Sequence, residues 1–450
     1  MKSKRPKVLH EIAGRALLCW VVQAALDAGA SRCLVVLGHG RDDVERVIAT
    51  RFGERVEMVL QPEQRGTGDA VRCAMEADAA LEGRVLVLYG DCPLIPAALL
   101  RNLVERSDRA GADLGLVTAT LSDPSGYGRI VRNALGHVQR IVEERDCSAD
   151  ERRIQEVNPG LYAMGAGFLR EAIAKLTPDN AQAQLYLTDV VALAAKQGEV
   201  LDLEGDMTEL TGVNDQRDLA LASATRRRRM AEELARSGVQ IANLDALYVD
   251  AECEIEPAAS LGANVHLRGR CVVRAGAQID VGCVLTNVVV DKDANVLPYT
   301  VATDSSIGEG AQVGPFSHLR SDTRLGPRSK VGNFSETKKT TLGAGSKVNH
   351  LSYVGNGEIG EGVNIGAGTI FCNYDGEQKH TTVLEDGVFI GSDTQLIAPV
   401  TVARGAYVAS GTTVTHDVPA DALAMSRTKQ ENKEGYAARL RARLRKKKKT

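Results

Sequence analysis

The stretch GEIGEGVNIGAG, residues 357–368, decides the fold of the C-terminal half, because an aliphatic–glycine pair recurs in it after six positions. A period of six matches neither the ~3.6 residues of a helical turn nor the alternation of a strand. It matches a parallel β-helix, in which each hexapeptide forms one flat side and turns a corner. The same step of six joins further aliphatic positions, which are Ile307, Val313; Leu342, Val348; Val402, Val408, Val414; and Leu261, Leu267, Val273, Ile279, Leu285. A β-sandwich with regular turns is the alternative, and the persistence of the repeat disfavours it.

The N-terminal half has a different pattern, since helical and strand-like segments alternate up to about residue 215. ALLCWVVQAALDAG and DAVRCAMEADAAL have helical spacing, whereas CLVVLG and RVLVLYG are short apolar runs typical of strands buried on both faces. This alternation predicts an α/β domain with a largely parallel sheet and ligands at the carboxyl ends of its strands. A polar helix at 217–237 is interpreted as a linker between domains at 1–216 and 238–450.

Composition narrows the class of protein. The chain has no apolar run of about 18 residues, and its first ten residues lack the apolar segment of a signal peptide. The nine cysteines form no CxxC pair, which favours free thiols and a cytoplasmic protein.

The net charge is -3, but eight cations lie at residues 439–449, so the remainder carries -3 - 8 = -11. A solvated terminus is the favoured interpretation of this tail, over contact with nucleic acid or an anionic membrane. We therefore expect neither a nucleic-acid partner nor stable membrane insertion.

Two segments of the first half could carry chemistry. Asp91 follows a predicted buried strand in VLVLYGDCPLI, where a carboxylate could hold Mg²⁺, although a turn or capping aspartate is the alternative. The glycine-rich QPEQRGTGDA opens a helix, and its backbone N–H groups could bind an anion or a base edge. Each signal is weak when taken alone.

The second half places a histidine among carboxylate and cationic residues. In VGNFSETKKTTLGAGSKVNHLSYVG, His350 with Glu336 could remove a proton near neutral pH. Cations nearby could bind a phosphate, namely Lys338, Lys339 and Arg320. The alternative is a solvated face with a structural histidine.

An ordered series of motifs covers nearly the whole chain. In the first half these are PKVLHEIAG, QPEQRGTGDA, LYGDCPLI, DPSGYGRIVR, IQEVN and GVND; in the second they are GPFSHLR, VGNFSETKK, NHLSYVG, VNIGAGTIFCNYDG, FIGSDTQLIAPV and ALAMSR. The series resembles the bacterial family of bifunctional N-acetylglucosamine-1-phosphate uridyltransferases/glucosamine-1-phosphate acetyltransferases. The resemblance implies a Rossmann-like nucleotidyltransferase domain followed by a left-handed parallel β-helix that forms a homotrimer.

The resemblance also implies a first reaction centre, which joins UTP to N-acetylglucosamine 1-phosphate with Mg²⁺ and releases pyrophosphate. The metal ligands would be Asp91 and Asn214. Nucleotide-contacting positions would be Lys7, Gln61, Gly66, Thr67, Tyr89, Gly90 and Asp91. Positions that contact the sugar nucleotide would be Gly128, Glu143, Asn158 and Asn214.

A second centre is implied in the β-helix, where acetyl-CoA acetylates glucosamine 1-phosphate. His350 would be the general base and Glu336 would orient it. Acceptor-binding positions would be Arg320, Lys338, Tyr353 and Asn364. Positions that bind acetyl-CoA would be Ala367, Asn373, Tyr374, Ser392, Ser410 and Arg427.

The sequence departs from the family pattern at several positions. The family begins with a strand and the signature LAAGxGTRM, and Met1 matches the last residue of that signature. We therefore expect the first domain to lack that strand and loop and to transfer UMP slowly or not at all. Ala183 and Gln184 stand where glycine and glutamate are expected, and Ser410 stands where alanine is more usual. Two alternatives to the bifunctional enzyme follow, an acetyltransferase with a disabled nucleotide domain and a non-catalytic scaffold.

Overall fold

The computed structural model describes residues 1, 3–38, 41–426 and 428–447. The chain divides into two compact units, Met1–Arg229 and Met230–Thr450. This division falls inside the helix Gln216–Arg236, where the sequence predicts a linker helix at 217–237. No helix of the described ranges is both long enough and apolar enough to cross a membrane. All nine cysteines are free thiols, as their scattered positions predict.

The first unit alternates helices and strands along the chain. Its helices are α1 (Leu17–Asp27), α2 (Arg41–Phe52), α3 (Thr67–Ala77), α4 (Ala97–Ala110), α5 (Ala166–Ile173), α6 (Asp189–Gln197) and α7 (Met207–Leu210), and α8 (Gln216–Arg236) follows them. Its strands are β1 (Glu11–Ile12), β2 (Arg15–Ala16), β3 (Cys33–Leu37), β4 (Val56–Leu60), β5 (Arg84–Val87), β6 (Leu114–Thr120), β7 (Gly128–Arg132), β8 (Val138–Val142), β9 (Glu156–Asn158), β10 (Tyr162–Gly165) and β11 (Leu201–Glu204). The predicted helices and strands of this half are therefore present.

The main sheet is mixed, so the prediction of a largely parallel sheet is wrong. Its strand order is β5-β10-β6-β9-β7-β8, with β11 paired to β6. β5 and β6 are joined through α4 and run in the same direction, but β10 lies between them and is antiparallel to both. No α-helix separates β6 to β10 along the chain. Strands connected without a crossover helix pair antiparallel, and this explains the correction. β3 and β4 form a separate parallel pair.

β6 shows why the sheet needs helices on both faces. Its residues Leu114, Leu116 and Val117 are fully buried. Leu114 and Leu116 pack with side chains of α5 and α6, whereas Val117 packs with side chains of α4. Such double-sided burial produces the near-continuous apolar runs seen in this half of the sequence.

The second unit is a parallel β-helix, as the six-residue repeat predicts. One face stacks eleven strands, which are β12 (Gln240–Ile241), β15 (Ser260–Leu261), β18 (Gln278–Ile279), β20 (Asn295–Val296), β22 (Gln312–Val313), β25 (Lys330–Val331), β28 (Lys347–Val348), β31 (Asn364–Ile365), β34 (Phe389–Ile390), β37 (Tyr407–Val408) and β39 (Leu423–Ala424). The other two faces share a seventeen-stranded sheet. Its first strands are β13 (Leu247–Val249), β14 (Glu254–Ile255), β16 (Val265–Arg268), β17 (Val272–Val273), β19 (Val284–Val290), β21 (Val301–Ile307), β23 (His318–Leu319) and β24 (Thr323–Leu325). It continues with β26 (Glu336–Lys338), β27 (Thr340–Leu342), β29 (Tyr353–Gly355), β30 (Gly357–Ile359), β32 (Ile370–Cys372), β33 (Thr382–Leu384), β35 (Gln395–Ile397), β36 (Val400–Val402) and β38 (Thr413–Val414). The helix α9 (Tyr436–Lys447) follows.

Most coils of the β-helix consume 17 or 18 residues, about three hexapeptides. Lys330 pairs with Lys347 and Lys347 with Asn364, a step of 347 - 330 = 364 - 347 = 17. Asn364 then pairs with Phe389, a step of 389 - 364 = 25. One coil therefore carries 25 - 17 = 8 additional residues, which form a loop around residues 373–381.

The repeat positions form the core of this unit. Every aliphatic residue of the hexapeptide series is at most 4% exposed and belongs to one continuous cluster. Glycine after the aliphatic residue has a steric reason: a Cβ at Gly343 would lie 2.3 Å from the carbonyl oxygen of Gly360 in the next coil. The left-handed sense that the resemblance implies stays a prediction.

Candidate active sites

The first cluster joins Lys7, Asp91 and Asn214, which are distant in sequence. Asp91 follows β5, and the backbone N–H of Val213 donates to the Asp91 carbonyl at 2.9 Å, which holds the Asn214 segment beside it. Lys7 Nζ lies 2.5 Å from Asp91 Oδ2 and donates to Asn214 Oδ1 at 2.8 Å. The structure therefore brings together one predicted nucleotide-binding cation and both predicted metal ligands.

The oxygen atoms of Asp91 and Asn214 are suitable ligands for a hard cation. The Asp91 carboxylate and the Asn214 amide oxygen both point at one positive charge, the Lys7 ammonium. Mg²⁺ takes few protein oxygens and retains several waters or phosphate oxygens, so this pair is a suitable ligand set. Clusters of three or more His, Cys, Asp or Glu able to hold a metal do not occur within the described part of the chain.

The glycine-rich loop carries a second group of predicted nucleotide-contacting residues. Gln61 Nε2 donates to Asp69 Oδ2 at 2.9 Å and to the Gly66 carbonyl at 3.2 Å. Gly66 has φ +109° and is the N-cap of α3, and a Cβ there would lie 2.6 Å from the Leu185 carbonyl oxygen. Thr67 Oγ1 accepts from the N–H of Leu187 at 3.2 Å. The loop that carries Gln61, Gly66 and Thr67 is therefore held against residues 185–187.

The backbone at Ala183 accounts for one departure from the family pattern. Ala183 has φ +50°, a left-handed conformation that glycine adopts without steric cost. Glycine is the residue that the resemblance leads us to expect there. Ala183 thus retains a glycine-type backbone beside the 185–187 segment.

The predicted sugar-contacting residues form a third group of side chains. β7 pairs Gly128 with Asn158 of β9, and a Cβ at Gly128 would lie 3.6 Å from Glu143 Oε2. Thr188 Oγ1 donates to Glu143 Oε1 at 3.0 Å. Burial raises the pKa of the Glu143 carboxyl, and the Thr188 bond partly offsets this. Gly128, Glu143 and Asn158 therefore lie together.

Tyr89 connects this group to the end of β5. A Cβ at Gly160 would lie 1.9 Å from the Tyr89 ring, so only glycine allows the ring to pack there. The N–H of Gly160 donates to Asn158 Oδ1 at 3.1 Å. Burial, followed by the charges of Glu143 and Asp91, raises the pKa of Tyr89. Gly90 follows it, and a Cβ at Gly90 would lie 3.0 Å from Leu18 Cδ1.

His350 lies at an exposed corner of the β-helix and has an asparagine partner. Its Nδ1 lies 2.7 Å from Asn333 Oδ1, and the two residues are 350 - 333 = 17 positions apart, which is one coil. An amide oxygen only accepts, so Nδ1 carries the proton and Nε2 is left with a free lone pair. That tautomer is the one a general base working through Nε2 requires.

Glu336 occupies a different place from the one expected. Its Oε1 pairs with Arg320 Nη1 at 2.7 Å on the sheet face, and Asn333 is the residue on the His350 ring. The expectation that Glu336 orients His350 directly is therefore corrected. The separation of 350 - 336 = 14 residues is shorter than a coil, so the two side chains do not stack on the same corner.

Cations and polar groups gather on the face next to this corner. The register of β23, β26 and β29 aligns Glu336 with Tyr353 and brings Arg320 beside Lys338 on adjacent coils. Contact with Lys379 and the charges of Lys379 and Arg320 lower the pKa of Lys338. This arrangement is suited to an anion, which would relieve the repulsion.

The eight-residue insertion supplies the remaining groups of this face. Asn373 Nδ2 donates to Asn356 Oδ1 at 2.7 Å. Tyr374 pairs with Lys379 across the loop as an isolated antiparallel bridge. Asp375 holds the turn, because its carboxylate accepts the backbone N–H groups of residues 377 and 378 and contacts His380 Nε2 at 2.6 Å.

Predicted acetyl-CoA positions continue the His350 corner along the stack. Val348 pairs with Ile365, Ile365 pairs with Ile390, and Ile390 pairs with Val408. The residues two positions after each of these therefore form one column along the stack, which consists of His350, Ala367, Ser392 and Ser410. Asn364 lies on the eleven-stranded face, across the corner from Tyr353 and Lys338. Arg427 lies outside the described residues.

Both units together define a class: a nucleotidyltransferase-like α/β unit followed by a parallel β-helix with a histidine-centred site. Residues 1–183 match the MobA-like NTP transferase domain family. The "Bifunctional protein GlmU" of Sorangium cellulosum (strain So ce56) is 55% identical over 449 residues, covering 99% of this chain and 94% of that protein. Its namesakes from Trichlorobacter lovleyi and Anaeromyxobacter sp. (strain Fw109-5) are 44% and 46% identical, covering 98% of this chain and 96% and 91% of those proteins. The chain belongs to the GlmU family of bifunctional proteins. It is accordingly a transferase, and neither alternative, the disabled enzyme or the scaffold, is favoured.

Three polar residues at the second site were missed by the sequence interpretation. Asn333 and Lys379 lie inside or beside quoted motifs, yet no role was assigned to them, and Asp375 was not singled out. The coil length could have identified Asn333, since a residue one coil before the base is its neighbour. Nothing in the sequence alone reveals that Lys379 approaches Lys338.

Proposed function

We propose that this chain performs two successive transfers: it acetylates glucosamine 1-phosphate with acetyl-CoA, and it then transfers UMP from UTP to N-acetylglucosamine 1-phosphate. The products are CoA, pyrophosphate and UDP-N-acetylglucosamine, a precursor for cell-wall synthesis. Membership of a family named as bifunctional, over nearly the full chain, carries this proposal. The two separate polar clusters, one in each unit, support it.

Acetyl transfer is proposed to begin with His350. The amine of glucosamine 1-phosphate attacks the thioester carbon, a C–N bond forms, the C–S bond breaks and the CoA thiolate leaves. His350 Nε2 takes the proton that the amine loses, and Asn333 keeps Nδ1 protonated during that step. The proton then passes to the thiolate or to solvent. Arg320, Lys338 and Lys379 would bind the sugar phosphate, which the lowered pKa of Lys338 supports.

UMP transfer is proposed to occur at the Asp91 cluster. A phosphate oxygen of N-acetylglucosamine 1-phosphate attacks the α-phosphorus of UTP in line, and the bond to pyrophosphate breaks. Lys7 would neutralise phosphate charge, and Glu143 and Asn158 would orient the sugar. We propose Mg²⁺ as the metal held by Asp91 and Asn214, where it would neutralise charge growing on the leaving pyrophosphate.

We further propose a homotrimer that acts in the cytoplasm. Asn364 lies on one face of the β-helix and the proposed sugar-binding cations lie on the adjacent face, with the His350 corner between them. A second copy packed against this corner would add its own side chains to the site. Light scattering should give three times the 48.1 kDa chain mass. A folded, fully active monomer would contradict this proposal.

Separate assays of the two half-reactions test the function. CoA thiol release reports acetylation, and pyrophosphate release with UTP and Mg²⁺ reports UMP transfer. His350→Ala should lower kcat of acetylation by about 10²–10⁴-fold and leave UMP transfer unchanged. Asp91→Ala should lower UMP transfer and leave acetylation unchanged, so each variant is the control for the other. Loss of both activities in one variant, or near-full activity in either, would refute the assignment.

A further inference from the structure

The helix α9 exposes an apolar stripe. Tyr436, Leu440 and Leu444 are spaced by four residues and therefore lie on one side of the helix. Tyr436 and Leu444 are each 53% exposed and Leu440 between them is partly exposed, so the three side chains form a row of accessible apolar surface. Sequence composition alone favours a solvated basic tail here, but the helix brings its three large apolar residues together into a continuous surface.

Cations border the stripe. At 100° per residue, Arg443 lies about 60° from Leu440, beside the stripe, and Arg441 and Arg439 lie about 100° to either side. Arg445 and Lys446 lie farther round the helix, about 140° and 120° from Leu440. Including residues 447–449, the segment carries eight positive charges and no acidic residue, whereas the rest of the chain carries -11. Charge and apolar surface are thus combined on one exposed twelve-residue helix.

We propose that α9 binds reversibly to the surface of an anionic lipid bilayer. The apolar side chains would enter the boundary between headgroups and acyl chains while the arginines contact phosphates, which is how basic amphipathic helices lie in the interface. A helix of twelve residues is ~18 Å long, too short to cross the roughly 30 Å hydrocarbon core. The anchor is therefore peripheral. Nucleic acid would use the cations but leave the leucines without a partner, so the stripe favours lipid.

Vesicle flotation of the full chain tests this anchor. We expect binding to phosphatidylcholine vesicles that contain phosphatidylglycerol to exceed binding to pure phosphatidylcholine by more than about tenfold, because each cation near an anionic surface strengthens binding by about fivefold. High salt should weaken it. Equal binding to both vesicle types, or none to either, would overturn the proposal.

Two matched double variants separate the stripe from the charge. Leu440→Gln with Leu444→Gln removes apolar surface, whereas Ala438→Gln with Ala442→Gln adds the same residues on the other side, and glutamine preserves helix propensity in both. Only the leucine pair should lose vesicle binding, by about tenfold or more given ~0.8 kcal/mol per buried CH₂. Undiminished vesicle binding by the leucine variant would show that charge alone acts and would refute the stripe.

A random-sequence DNA duplex serves as the competing probe. Neither double variant alters a cation, so any binding to the duplex should be equal in both. Duplex binding that is tighter than vesicle binding and that displaces the protein from vesicles would overturn the lipid assignment. Acetyl transfer should be unchanged in both variants, which verifies that each is folded.

Discussion

Replacing Asn333 by alanine should slow acetylation by removing the acceptor that fixes the His350 tautomer. The Nδ1···Oδ1 distance of 2.7 Å is that of a good hydrogen bond, and a bond of this kind stabilises by about 0.5–1.5 kcal/mol net of water. That free energy corresponds to about twofold to tenfold in the fraction of enzyme whose Nε2 is free to accept a proton. We therefore expect kcat to fall by about that factor, far less than for His350→Ala.

The measurement is CoA thiol release at saturating acetyl-CoA over a range of pH. Asn333→Asp should retain most activity, because a carboxylate oxygen can also accept from the Nδ1–H of His350. Asn295→Ala, on a distant coil of the eleven-stranded face, is the control for asparagine removal. In a His350→Ala background, Asn333→Ala should have no further effect. An unchanged kcat, or one as low as that of His350→Ala, would refute the tautomer argument.

Three further outcomes follow from the pKa directions and the backbone. Lys338→Arg should move the alkaline limb of kcat/KM for glucosamine 1-phosphate to higher pH, because contact with Lys379 lowers the pKa of Lys338 and arginine stays charged. If the variant and the unaltered protein had the same alkaline limb, Lys338 would be excluded as the titrating group. Burial raises the pKa of Glu143, so UMP transfer should decline on acidification earlier than a free glutamate would, and Glu143→Gln should lack that limb; a limb that persists in the variant belongs to another group. Ala183→Gly should raise the free energy of unfolding by about 0.5–1 kcal/mol, since φ is +50° there; thermal unfolding checks this, and a lower Tm would contradict it.

Periodicity made the β-helix predictable in detail. Each aliphatic residue of the six-residue series is buried because about three hexapeptides make one coil, so every repeat brings its aliphatic residue back to the interior. The N-terminal strands were equally recognisable, but their directions were not. β10 enters between β5 and β6 from a distant part of the chain, and no local signal records that insertion.

The candidate sites show the same difference between what local sequence predicts and what depends on long-range contacts. Residue types near Asp91 suggested a cation site, whereas the meeting of Lys7 with Asn214 depends on a contact 207 residues apart in sequence. Glu336 was assigned to His350 because it is close along the chain, yet neighbours in a stacked coil are one full turn apart. Distance in sequence misleads wherever the fold imposes a longer spacing.

In the column of His350, Ala367, Ser392 and Ser410, the distances between members are multiples of the spacing between adjacent strands. Adjacent strands are about 4.8 Å apart, so each group along the column lies a whole number of such steps from the base. A duplicated coil of 17 residues inserted above Ala367 would shift every later group by one step and keep the buried pattern intact. Gain or loss of whole coils is thus a route by which a lineage could match this column to an acyl carrier with a longer or shorter arm, without redesigning a single interior residue.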